Sequence, residues 1–174
     1  MNISSRIIHA GIRLIFVIYL FVLVKIILFK MQIIEPGFLW NQLYSSLSHP
    51  GLVYQRLLTG NLVPFREITR TMEMMTGHSL FNLIGNVAIF VPFGLFIGIM
   101  LQKKGISALA ALIYSLLMSL LLESAQLLLR IGQFDVDDLL LNTFGGLVGY
   151  FIFSVIAMAI RFARAEDTSS EPAL

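Results

Sequence analysis

Four long apolar runs, residues 7–29, 79–101, 106–129 and 139–160, limit what this chain can fold into more than anything else in it. Each is long enough to cross a hydrocarbon core of about 30 Å as an α-helix, which takes roughly 20 mostly apolar residues. Inside lipid only helices and closed barrels satisfy every backbone amide, and barrel strands alternate polar with apolar. These runs do not alternate, so the expected fold class is an all-α membrane protein, a bundle of four transmembrane helices. The composition agrees: 57% of the 174 residues are hydrophobic and only 13% charged, against about 25% charged in an average soluble domain. Such a chain has too few charges to cover a water-facing surface, so the lipid bilayer is its first expected partner.

The net charge of +2 is spread along the chain rather than clustered, which gives no support to nucleic-acid binding. The chain has no cysteine, so thiol chemistry, disulfides and cysteine-held metals are excluded. The first apolar run is too long for the core of a secretory signal and no small-residue cleavage site follows it, so it is expected to remain as a helix. Residues 102–105, with Lys103 and Lys104, form a tight turn, and residues 130–138 a short acidic one. The single long loop lies between the first two spans. It carries Pro36, Pro50 and Pro64, and its Trp40, Tyr44 and Tyr54 suit headgroup depth. Residues 1–164 read as one transmembrane domain and 165–174 as a disordered polar tail. Arg6, Arg13, Lys103, Lys104, Arg161 and Arg164 fall on one side of the membrane and Lys25, Lys30, Arg56, Arg66, Arg70 and Arg130 on the other, so the raw count does not decide; Lys103/Lys104 and Arg161/Arg164, which flank helix ends opposite the aspartate loop, place both termini in the cytoplasm.

With four spans, the second helix starts, the third ends and the fourth starts at one membrane face. The polar residues of the apolar runs gather there: Asn82 and Asn86; Glu123 and Gln126, followed by Arg130; and Asp135, Asp137, Asp138 and Asn142. Asn82 and Asn86 share a helix face at i,i+4, and Glu123 and Gln126 at i,i+3. Asp135, Asp138, Asn142, Gly145 and Gly149 form one stripe if the last helix starts near Asp135. Gly94 with Gly98, and Gly145 with Gly149, are close-packing pairs that let helix backbones approach. Pro92 removes one intrahelical bond and is a candidate kink.

Helix capping accounts for one aspartate, Asp137 or Asp135. It does not account for Glu123, about 9 Å below the end of its helix at 1.5 Å per residue. A carboxylate at the bilayer centre costs roughly 2.5–3.5 kcal/mol, so a partner is expected: Arg130, Arg66, or a proton. The asparagines and Gln126 also fit a plain role as interhelical glue.

No HExxH, P-loop or GxSxG motif is present. Glu123, Asp135 and Asp138 match no named metal signature, and Ser79 and Ser124 have no evident base. No metal or other cofactor is expected. Carboxylates, amides and arginines together suit a polar, zwitterionic or amino-bearing headgroup.

The segments NLVPF (residues 61–65), NLIGNVAIFVPFG (82–94), ESAQ (123–126) and FDVDDLLLNTFGGLVGY (134–150), in this order and spacing, make the chain resemble the VanZ-like family over residues 61–153. The resemblance implies a multi-pass protein of the bacterial cell membrane. Through the family's founding member it also implies a link to antibiotic resistance against the glycopeptide teicoplanin at the cell envelope. It maps onto Asn61, Pro64, Asn82, Asn86, Pro92, Gly94, Glu123, Gln126, Asp135, Asp138, Asn142 and Gly145, and leaves His78 and Asp137 at its periphery. The expected function is binding of an amphiphilic, lipid-linked or glycopeptide-type ligand near the outer face, with Arg66 and Arg130 in support. Two other readings stay open: an intramembrane enzyme acting on a lipid headgroup with Glu123 and Asp138 as acid/base or metal ligands, and a structural protein whose polar cluster is packing glue.

Overall fold

In a computed structural model, residues 3–29, 35–101 and 107–169 are described. The lysine turn at 102–105 and the last residues of the tail, 170–174, lie outside them. The described residues form seven helices: α1 (Ile3–Phe29), α2 (Pro36–Ser48), α3 (Pro50–Leu58), α4 (Arg66–Met74), α5 (Gly77–Leu101), α6 (Ala108–Leu129) and α7 (Val136–Ser169). Four of them are long and apolar enough to cross a membrane, over Arg6–Phe29, Ser79–Leu101, Ala108–Leu129 and Val136–Ala165. The expected all-helical, four-span architecture therefore holds.

Two expectations change. The long connection between the first two spans is helical rather than a loop, because it has its own start signals. Pro36 and Pro50 each occupy the first turn of a helix, where a missing N–H costs nothing and φ is already helical. The last helix also continues to Ser169, past the boundary at Arg164 where the polar tail was expected to begin. The starts of α5 and α6 follow ordinary capping chemistry. The Ser79 N–H donates to Thr76 Oγ1 ahead of α5 at 3.4 Å, and the Ala110 N–H to Ser107 Oγ ahead of α6 at 3.4 Å. Pro92 sits inside α5 and the helix runs through it unbroken.

The chain divides into two compact units, Met1–Arg70 with Met118–Leu139, and Thr71–Leu117 with Leu140–Leu174. In the first, Leu23 and Leu28 of α1 and Leu122 and Leu127 of α6 are buried. Its helix ends are tied by side chains that meet otherwise unpaired terminal carbonyls. Gln126 Nε2 donates to the Ile27 carbonyl in the last turn of α1 (2.8 Å), and Ser46 Oγ of α2 donates to the Leu128 carbonyl in the last turn of α6 (2.7 Å).

The second unit is packed through glycine. A Cβ at Gly145 or Gly149 would run into the Val87 or Val91 carbonyl of α5. A Cβ at Gly94 would strike the backbone of Gly146, one at Gly98 the ring of Phe153, and one at Gly146 the Ser115 hydroxyl. Backbone meets backbone along this seam, which suits an apolar solvent in which helices gain little from hiding large side chains. Phe90, Phe93 and Ile97 of α5 and Ala111 of α6 fill its buried interior.

Candidate functional site

The residues singled out in the sequence divide between the two units. Asn61, Pro64, Arg66, Glu123, Gln126, Arg130, Asp135 and Asp138 belong to the first; Asn82, Asn86, Pro92, Gly94, Gly98, Asn142, Gly145 and Gly149 belong to the second. In the second unit Asn142 is buried, Asn86 half-buried and Asn82 exposed. The densest polar geometry is in the first unit, where two chain segments zip together.

The segment after α3 pairs with the segment before α7 as a single parallel bridge. The Asn61 N–H donates to the Phe134 carbonyl and the Val136 N–H to the Asn61 carbonyl, both at 2.9 Å. Gly60 lies against the Phe134 carbonyl, where a Cβ would collide with it. Asn61 then adds a side-chain bond, Nδ2 to Asp135 Oδ1 at 2.8 Å. The same Asp135 oxygen accepts the Asp137 N–H at 2.8 Å, so Asp135 is the N-cap of α7. Burial pushes the Asp135 carboxyl above its ordinary range, and the nearby Asp137 charge adds to this. The Asn61 amide and the Asp137 and Asp138 N–H groups oppose it.

Glu123 lies inside α6 and is 0% exposed. Its Oε2 accepts the Asp135 main-chain N–H at 3.0 Å. One donor to this carboxylate is thus a backbone N–H, presented by the loop that the Asn61 bridge holds in place. Arg66 is exposed.

Asp137, which the sequence left at the periphery, is 1% exposed and organises the connection. One carboxylate oxygen accepts the Phe65 N–H at 2.5 Å; the other accepts those of Glu67 (2.7 Å) and Ile68 (3.1 Å). It caps α4, not its own helix. The signal for this was present in the sequence: α4 begins after Val-Pro-Phe and has no Ser, Thr, Asp or Asn of its own to cap it. A helix start with no local acceptor needs a remote one. Phe65, at φ 67, takes the turn that aims these amides at Asp137.

Arg130 ends α6 in a left-handed conformation, φ 57. The Ile131 N–H reaches the Gln126 carbonyl (3.1 Å) and the Arg130 N–H the Leu127 carbonyl (3.3 Å), which is a Schellman ending with arginine where glycine is usual. Arg56 of α3 donates through Nη2 to the Gly132 carbonyl at 2.7 Å, two residues further on. Among the described residues no three His, Asp or Glu side chains come together as a metal-holding group.

A family model described as VanZ/LLP1 matches residues 16–157. Protein VanZ of Enterococcus faecium is 33% identical over 138 residues, which cover 79% of this chain and 70% of that protein. No solved structure matches the chain.

Proposed function

We propose that this chain, which belongs to the VanZ/LLP1 family of multi-pass membrane proteins, binds an amphiphilic or lipid-linked ligand at the polar end of its first unit. We place that end at the outer face of the bacterial cell membrane. The observation that carries this reading is the complete burial of the Glu123 carboxylate within a membrane-spanning helix. Burying a carboxylate is costly, and an asparagine or serine would glue helices at less cost. An ionisable group is kept in such a place where a proton or a polar headgroup has to be met.

The neighbouring acids divide by what they hold. Asp135 and Asp137 accept backbone amides and fix two helix starts, so their role is to build the site. Glu123 and the half-buried Asp138 carry the ligand-facing role. The expected consequence for the cell is a change in susceptibility to glycopeptides such as teicoplanin, through retention of an envelope amphiphile.

The test is expression in a susceptible bacterium, with the amount of protein in the membrane measured alongside teicoplanin susceptibility. Glu123→Gln and Asp138→Asn are expected to abolish the shift in susceptibility at unchanged membrane levels. Full retention of the shift by both variants would sink the proposal. A fall in protein abundance with no change in activity per molecule would assign the cluster to packing alone.

A further inference from the structure

The basic side of the same polar end has a chemistry of its own. Arg56 reaches the turn after α6 and donates one N–H to the Gly132 carbonyl, but a guanidinium has five. Its Nε is buried without a hydrogen-bond partner. Arg130 stands two residues from Gly132, within about 7 Å along the chain. Among the described residues, neither guanidinium has a carboxylate within ion-pair distance, although Glu123, Asp135 and Asp137 lie in the same unit. The Arg56 guanidinium at this turn, with the Arg130 backbone two residues along it, gives two cations without a carboxylate partner that suit a phosphate, which takes guanidinium N–H groups in pairs.

Two further observations point the same way. Arg130 is held at φ 57, a left-handed conformation that is unfavourable for a residue with a side chain and easy for glycine. A helix stop alone would be better served by glycine. The helices beside this turn also carry exposed aromatic groups: Trp40 and Tyr44 on α2, each 67% exposed, and Tyr54 on α3, two residues before Arg56. Amphipathic rings of this kind settle at headgroup depth, which is where lipid phosphates lie.

We infer that Arg56 and Arg130 form a subsite for the phosphate of an anionic lipid headgroup. The inference rests on reading this end as a ligand site and gives the ligand a net negative charge: a phosphate on the arginine side, with an uncharged, hydroxyl-bearing remainder of the headgroup donating toward the carboxylates.

The full chain in nanodiscs of phosphatidylcholine doped with phosphatidylglycerol tests it, with lipid adducts read by native mass spectrometry. Wild type is expected to retain phosphatidylglycerol over phosphatidylcholine. Arg56→Gln and Arg130→Gly should each reduce that preference by on the order of tenfold. Arg130→Gly should do so with an unchanged or higher melting temperature, because glycine suits the position, so its loss of lipid is not misfolding. Unchanged preference in both variants overturns the subsite. Displacement by free inorganic phosphate without any phosphatidylglycerol preference overturns the lipid assignment. Glu123→Gln separates this proposal from the one above: it should lose the glycopeptide effect and keep the phosphatidylglycerol preference.

Discussion

Among single residues, Asp137 sets the local stability of the polar end. Its carboxylate accepts the Phe65, Glu67 and Ile68 amides while almost wholly buried. Asp137→Ala strands these donors and should cost on the order of 2–4 kcal/mol, seen as a lower melting temperature in detergent. Asp137→Asn keeps one acceptor oxygen and should lose about half of that. Asp135 makes a prediction about pH. Its carboxyl is raised above the ordinary aspartate range by burial, so the folded chain holds that proton more tightly than the unfolded chain. Its contribution to stability is therefore greatest at low pH and declines as pH rises from the ordinary aspartate value through the raised one. Asp135→Asn keeps an acceptor for Asn61 and the Asp137 N–H. It should flatten this part of the stability profile measured against pH.

At the level of elements, the four spans were legible because length and apolarity are enough to define a helix in lipid. The glycine pairs were legible for a similar reason: the spacing that brings Gly145 and Gly149 onto one face is fixed by helix geometry. The three helices of the connection were not. Helices of 13, 9 and 9 residues give too short a periodic signal to stand out among prolines and aromatics, and α4 depends on an acceptor some 70 positions away. Glu123 could be located from sequence, but its donor could not, because a backbone N–H leaves no trace in residue type. The α5–α7 seam yields a direct test. Gly149→Leu places a side chain on the Val91 carbonyl and should destabilise the second unit by more than the roughly 1–3 kcal/mol typical of overpacking. Gly85→Ala, where a Cβ meets nothing within 4 Å, should be tolerated. Yield of folded protein from mild detergent distinguishes the two.

For the molecule as a whole, the membrane supplies the solvent and the sidedness. The chain has no native cysteine, so single-cysteine variants can be labelled against a clean background. Under the proposed orientation, Thr59→Cys should react with an impermeant maleimide on intact cells, and Lys103→Cys only after permeabilisation. The reverse pattern would move the polar end to the cytoplasmic face and remove the route to an outer-leaflet ligand. The central claim, that the buried carboxylate of Glu123 serves a bound amphiphile, is tested most directly by purifying wild type and Glu123→Gln from the same cells. Co-purifying lipids and envelope precursors are then quantified by mass spectrometry per mole of protein. The account predicts an amphiphile enriched with wild type and lost from Glu123→Gln at equal protein yield. The same amphiphiles at the same stoichiometry in both would contradict it.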